Sequence, residues 1–178
     1  MGLIKRAHFI FFFLTLLTIF NVQGQEVVSW EPDFRFTWND FKGEAPITLR
    51  AAATTASGIT YRFSTFYENN ELQVDCKVFA YFYPTKSWYK PELCNEVTLL
   101  HEQLHFDITE LYARKLRKKL AETKFTKNVK EEIRKIYKAT IRQLNDFQNK
   151  YDTETNYSRN LPVQERWAKE IEEALIKS

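Results

Sequence analysis

Two histidines and a glutamate stand within five positions of one another in the segment LLHEQLHFDI, as His101, Glu102 and His105. The whole chain has 3 histidines, and the remaining one, His8, lies near the N-terminus. On a helix, His101 and His105 lie one turn and about 40° apart, so both imidazoles can reach one metal ion. Glu102 lies about 100° round from His101, where it flanks that ion without binding it. This HExxH spacing predicts a zinc site.

The chemistry predicted for such a site is hydrolysis. Zinc lowers the pKa of its bound water towards about 7 and polarises the carbonyl under attack. Glu102 would take a proton from that water and pass it to the leaving group. The alternative is that the two histidines are ordinary helix residues, but a chain with so few histidines favours the metal site.

A third zinc ligand must come from another segment, because a catalytic zinc normally has three protein ligands and no other histidine follows the N-terminal region. The polar segment YDTETNYS supplies three candidates: Asp152, Glu154 and Tyr157. Its alternative role is helix termination and capping. Tyr112 shares the metal-facing side of the motif helix, where it could line a pocket or pack in the core.

The first 24 residues have the pattern of a secretory signal peptide. Lys5 and Arg6 precede an apolar run from Phe9 to Phe20. The small residues Val22 and Gly24 follow it, and they are typical of a cleavage site after Gly24. The run is too short to span a bilayer, which needs roughly 20 apolar residues. Residues 1–24 are therefore predicted to be removed, and residues 25–178 to form one exported domain that is secreted or periplasmic and does not bind a membrane.

Charge and cysteine content restrict the remaining function classes. Without Lys5 and Arg6, the 26 basic residues fall to 24 against 23 acidic ones, which gives no electrostatic case for binding nucleic acid. The 2 cysteines, Cys76 and Cys94, are expected to form a disulfide in an exported protein. Metal binding by their thiolates is the weaker alternative, because neither lies in a close cysteine pair.

The periodicity of the chain changes from strand-like to helical near its middle. Alternating patterns before residue 84 and a turn at Asn69–Asn70 predict an antiparallel sheet with an aromatic hairpin strand over residues 72–83. Helical patterns follow at about residues 95–120, 128–151 and 162–176. The predicted fold is α+β, with an N-terminal antiparallel sheet and three helices in a minimal zincin-like metalloprotease architecture. An exposed sheet edge, for which the hairpin strand is the candidate, would pair with a peptide above the metal.

Several segments resemble a known family in the same order along the chain. They are SWYK at 87–90, HEQLHFDI at 101–108, YARKLRKKL at 112–120, YDTET at 151–155, and Gln164 with Trp167. This pattern resembles a family of uncharacterised secreted bacterial proteins predicted to be zinc-dependent proteases, recognised by an HEQGHFDI-type segment. The resemblance implies His101 and His105 as zinc ligands and Glu102 as catalytic base. The family usually has a histidine where this chain has Tyr157.

The leading hypothesis is therefore an exported zinc-dependent metallohydrolase, most simply a peptidase acting on a peptide or protein substrate. An amidase acting on cell-wall peptides would use the same zinc chemistry. The alternative from a different class is a non-catalytic secreted binding module with a degenerate zinc site, which the departure at Tyr157 favours.

Overall fold

The computed structural model describes residues 26–48 and 50–178, so the predicted signal peptide lies outside the described residues. Its main sheet has three antiparallel strands in the order β1-β4-β3: β1 is Val28–Ser29, β3 is Ser57–Glu68 and β4 is Glu71–Phe82. Strands β3 and β4 form a long hairpin in which Glu68 pairs with Glu71. The turn between them contains Asn69 and Asn70 at φ values of 49° and 65°, which asparagine tolerates better than most residues. The predicted hairpin and its turn are confirmed.

A second, smaller sheet joins β2, Ala53–Thr54, to β5, Trp88–Tyr89. Its strands are antiparallel, and the Lys90 backbone N–H extends the ladder by donating to the Ala52 carbonyl at 2.8 Å. The sheet is short, but it brings the chain around Ala53 to the first helix, where the Thr55 hydroxyl donates to the Glu102 carbonyl at 3.2 Å.

Three helices follow, as predicted: α1 is Glu96–Ala121, α2 is Val129–Glu154 and α3 is Leu161–Lys177. The α1 helix begins after Asn95, whose side chain accepts a hydrogen bond from the Thr98 backbone N–H at 3.0 Å and so satisfies one of the free amides of the first turn. The α+β fold with a sheet-forming N-terminal part is confirmed. Within the described residues, no helix combines the length and the apolar character that crossing a membrane requires.

The core lies on both sides of α1. One side of this helix contacts β3 and β4, and the other contacts α2 and α3. Phe82 from the sheet and Phe106 from α1 are both fully buried, with ring centroids 5.9 Å apart, and each such side chain contributes about 1.5–3 kcal/mol by leaving water. A helix covered on two sides can hold polar residues in a dry environment, as the first half of α1 does.

The cysteines depart from the prediction, because Cys76 and Cys94 are both free thiols. Cys76 lies in the middle of the hairpin opposite Phe63, whereas the Cys94 Sγ donates to the Ala52 carbonyl at 3.3 Å beside the small sheet. Two cysteines can be bridged only when their Cα atoms lie within about 7 Å. The register of β4 holds Cys76 away from that region, so the expected disulfide does not form.

Candidate metal centre

His101, His105 and Asp152 form a compact cluster where the first half of α1 meets the last turn of α2. The Nε2 atoms of His101 and His105 lie 3.0 and 2.9 Å from the same oxygen, Asp152 Oδ1. One candidate ligand atom from each residue lies within 4.8 Å of the other two. The side chains of both histidines are largely buried and that of Asp152 is 26% exposed, so the cluster opens to solvent on one side.

Packing between α1 and α2 positions Asp152. One turn before it, the Gln148 side-chain amide donates to the His105 carbonyl at 3.0 Å and to Thr109 Oγ1 at 3.2 Å. The buried Tyr151 ring stacks on the His101 ring with centroids 4.5 Å apart. These contacts fix the rotation of α2 on α1, and Asp152 therefore faces the two imidazoles.

A single orientation of Gln164 on α3 determines how His101 is protonated. The Gln164 Nε2 donates to the Val97 carbonyl at 3.0 Å, so its Oε1 must be the atom that lies 3.2 Å from His101 Nδ1. That Nδ1 carries the proton and donates it to Gln164. The free electron pair of a neutral His101 is thus on Nε2, directed at Asp152. A carboxyl oxygen and an imine nitrogen at this distance need a proton or a cation between them.

The pKa values of Asp152 and His105 also indicate that the cluster favours a positive charge beside the Asp152 carboxylate. Burial opposes the charged form of Asp152, yet the hydrogen bonds from His101 and His105 hold the pKa of that carboxyl far below its usual range. Burial also lowers the pKa of His105, but the hydrogen bond to Asp152 and the nearby Glu102 charge outweigh it and raise that pKa above its usual value. The raised pKa of His105 thus reflects the negative charge that Asp152 and Glu102 place around this imidazole.

Glu102 points from α1 into a cleft of about 670 Å³ that also reaches the three clustered residues. Its side chain is 5% exposed, and among the described residues none donates a hydrogen bond to its carboxylate. Because no buried side-chain oxygen of the described residues lacks a hydrogen-bond partner, the oxygens of this carboxylate are open to the cleft, where water or a ligand can bind them. Glu102 is thus placed, as the HExxH spacing predicts, beside the cluster and outside it.

The wall of the cleft opposite α1 is formed by residues 50–55, which include β2. Ala52 and Lys90 share a ladder hydrogen bond, so Ala53, the next residue, directs its own N–H and C=O away from β5. The free edge of β2 therefore faces the cleft. The hairpin strand over residues 72–83, which was expected to be this edge, pairs with β1 only at Tyr81 and Phe82 and contributes no residue to the cleft wall.

Of the three remaining residues that were predicted to bind the metal or line its pocket, one lines the cleft and two lie elsewhere. Tyr157 lines the same cleft as the three clustered residues, with 60% of its surface exposed. Glu154 turns away from the cluster to accept a hydrogen bond from Trp167 Nε1 at 2.9 Å and to pair with Arg166. Tyr112 is buried against the Phe147 ring and does not line the cleft. Successive helical residues point in different directions, so only one carboxylate of this segment can reach the histidines.

The opposite face of α1 anchors the N-terminal segment through Gln103 and Asp107, two motif residues with no role assigned from sequence. Asp107 Oδ1 accepts from Trp30 Nε1 at 2.8 Å and from Gln103 Nε2 at 3.1 Å. Gln103 Oε1 accepts from the Phe36 backbone N–H at 2.8 Å. These bonds satisfy buried polar groups and fix the helix against the chain that precedes the sheet.

Three residues that support the cluster escaped prediction: Gln148, Tyr151 and Gln164. Tyr151 was predicted only to end the second helix, and Gln164 was part only of the family resemblance. Their contacts depend on how three helices pack, which the local periodicity of the chain does not encode. The one available signal was the position of Tyr151 directly before a candidate ligand.

Residues 95–159 match a family described as bacterial protein of unknown function (DUF922). The matched region begins just before α1 and ends after Asp152, so it contains the whole cluster. No curated protein and no solved structure matches the chain. Over residues 95–159 the chain is thus similar to a bacterial family of unknown function, and the predicted protease activity stays a prediction.

Proposed function

We propose that this protein is an exported zinc-dependent peptidase whose metal is held by His101, His105 and Asp152 and whose catalytic base is Glu102. The observation that carries the proposal is the convergence of two imidazole nitrogens on one carboxylate oxygen at 3.0 and 2.9 Å. Export rests on the predicted signal peptide, and the place of action is the periplasm or the cell exterior.

The donor set fits zinc. Two imidazoles and one carboxylate are a ligand set found in catalytic zinc sites, where a fourth position stays open. Ligand atoms on a tetrahedral zinc lie about 3.3 Å apart, because each bond measures about 2.0–2.2 Å. The Asp152 oxygen lies a few tenths of an ångström closer than this to each imidazole nitrogen and would move back slightly to admit the ion. The Gln164 carbonyl already holds His101 Nδ1 as a donor, which leaves Nε2 as the nitrogen that would bind zinc.

The residues around the cluster would divide the work of hydrolysis. When bound, zinc lowers the pKa of a water molecule and polarises the carbonyl group to be attacked. Glu102, with no competing hydrogen-bond donor among the described residues, accepts a proton from the attacking water and delivers it to the leaving nitrogen. The largely buried surroundings of Glu102 would strengthen its interaction with a bound substrate.

The free edge of β2 would orient an extended peptide. The N–H and C=O groups of Ala53 face the cleft and can pair with a peptide backbone as an added strand. Such pairing recognises the peptide main chain whatever its side chains, which favours a peptide or protein substrate. An amidase acting on cell-wall peptides would use the same edge.

Metal content tests the proposed ligands. We expect close to one zinc per chain by elemental analysis of the purified protein, and a loss of zinc in His101→Ala and Asp152→Asn. Glu154→Gln is the matched control, because this carboxylate lies on the same helix turn but pairs with Arg166 instead. Equal zinc loss in Asp152→Asn and Glu154→Gln would contradict the ligand assignment.

Glu102→Gln tests the catalytic role separately from the metal. We expect this variant to keep its zinc. Its rate of peptide hydrolysis should fall at least a hundredfold, since general-base catalysis contributes about 10²–10⁴-fold to the rate. The measurement is cleavage of a defined peptide library followed by mass spectrometry. Zinc binding by the wild-type protein without any hydrolysis would instead favour the binding module with a degenerate site.

A further inference from the structure

The cleft would carry a net positive charge with a zinc ion bound. Two arginines, Arg50 and Arg159, and two carboxylates, Glu102 and Asp152, face this space. The two positive charges of a zinc ion would offset the two carboxylates. Both arginine charges then remain in excess, so the loaded cleft attracts anions.

Neither arginine has an acidic partner among the residues that the structure describes. Arg159 makes one weak contact, from Nη1 to the Asn156 carbonyl at 3.4 Å, and the Arg50 side chain is exposed. Other surface arginines of this protein do find carboxylates: Arg134 pairs with Glu131 and Arg166 with Glu154. The two cleft arginines are therefore available to a ligand.

The backbone turn after α2 fixes the position of Arg159 beside the cleft. Arg159 follows a turn in which Asn156, Tyr157 and Ser158 all have positive φ, at 49°, 52° and 71°. Hydrogen bonds from Tyr157 N to the Asp152 carbonyl and from Asn160 N to the Thr155 carbonyl, both under 3 Å, fasten this turn to the end of α2. A run of such residues is strained, at about 1–2 kcal/mol each, so the surrounding structure must enforce it.

Arg50 lies on the opposite wall. It precedes Ala53 by three positions, so their Cα atoms are at most about 11 Å apart. A peptide paired with the β2 edge at Ala53 would thus carry side chains, or its own terminus, within reach of Arg50. Arg159 approaches the same space from the α2 side of the cleft.

We infer that the cleft selects substrates with a carboxylate close to the bond that is cleaved, and that Arg50 and Arg159 bind this carboxylate. The inference rests on the proposed function and names its substrate class. Guanidinium groups match a carboxylate with two parallel hydrogen bonds, which a neutral amide cannot reproduce. The carboxylate has two possible sources: an acidic side chain and a free C-terminus.

Binding measured without turnover tests this inference. The zinc-loaded Glu102→Gln protein is mixed with fluorescent peptides taken from library sequences that the wild type cleaves, and anisotropy gives Kd. Each peptide is made with Glu or Gln at one position and with a C-terminal acid or amide. We expect at least tenfold tighter binding for one of the charged forms, and the position of the preferred charge identifies its source.

Arginine variants connect that preference to the cleft. In the Glu102→Gln background, Arg50→Ala and Arg159→Ala should each reduce the charged-to-neutral ratio of Kd at least threefold. Arg142→Ala is the control, because this exposed arginine on α2 does not line the cleft. Equal Kd values for charged and neutral peptides would overturn the inference, and so would a charged-to-neutral ratio that neither cleft variant changes. The proposed function would survive either result if the wild type still cleaves neutral peptides. A wild type that binds no zinc and cleaves no peptide would overturn the proposed function instead.

Discussion

At the level of single residues, Gln164 is a polar side chain in direct contact with one of the proposed metal ligands, His101. Its amide is held by the Val97 carbonyl at one end and accepts from His101 Nδ1 at the other. Partners of this kind fix both the ring orientation and the proton position of a ligand histidine. In the proposed site, Gln164 would therefore orient His101 before the metal binds.

Replacing Gln164 by leucine should weaken zinc binding by about 10–100-fold, the usual cost of losing such a partner. The variant keeps the volume of the side chain but leaves His101 Nδ1 without an acceptor. Competition with a chromophoric chelator measures the zinc affinity. Gln143→Leu, at an exposed position of α2, should leave the affinity unchanged. An unaltered zinc affinity in Gln164→Leu would show that His101 needs no fixed orientation.

Prediction from sequence was most successful where the relevant geometry is local. His101, Glu102 and His105 share one helix, so their relative directions follow from helix geometry alone. The same local rule accounts for the Glu110–Arg114 pair, whose members are four residues apart on α1 and lie at 2.9 Å. Asp152 was one of three candidates, because the choice among them depends on the rotation of α2 against α1. Gln164 belongs to a third helix, and no local rule connects it with His101.

At the level of secondary structure elements, the small sheet of β2 and β5 determines the shape of the cleft. It is reinforced from outside by the segment that contains Gly43, whose N–H donates to the Ser87 carbonyl at 2.7 Å. A Cβ atom at Gly43 would lie 2.8 Å from that same carbonyl oxygen and 3.0 Å from the Thr85 carbonyl oxygen. Glycine is needed here because two backbones approach closely.

Gly43→Ala should therefore destabilise the protein by about 1–3 kcal/mol, the typical effect of forcing extra volume into a packed contact. Chemical denaturation measures the loss in free energy of unfolding. Gly58→Ala is the matched control, because its Cβ would meet only the Tyr83 ring at 3.4 Å, an ordinary contact. Equal stability of the two variants would contradict the close packing of Gly43 against the segment before β5.

The positions of the two cysteines also depend on how the strands pair. The redox argument for pairing Cys76 with Cys94 considered the compartment and the number of cysteines, and neither gives a position in space. The register of a long antiparallel hairpin places Cys76 opposite Phe63, while Cys94 follows the small sheet at the start of α1. Long-range placement of this kind requires the strand pairing to be known.

At the level of the whole molecule, α1 connects the site to the stability of the fold. The helix that carries His101 and His105 also packs against the main sheet and against both other helices. Binding of a ligand to the folded state alone stabilises it in proportion to the logarithm of ligand concentration over Kd. Zinc at the proposed site would compete with protons for the same imidazoles, so folding stability should depend jointly on metal and pH.

The direction of this dependence follows from the pKa of His105, which the Asp152 hydrogen bond and the Glu102 charge raise despite burial. A raised folded-state pKa stabilises the metal-free protein below the unfolded value of about 6.5, and this contribution is lost as pH rises through the folded value. Zinc requires the neutral imidazole, so its stabilising effect should grow over the same interval. We expect the rise in Tm on replacing chelator by zinc to be larger at pH 8 than at pH 6. His105→Gln, which cannot titrate, should show little zinc effect at either pH, and a wild-type rise that is the same at both values would contradict zinc binding through this imidazole.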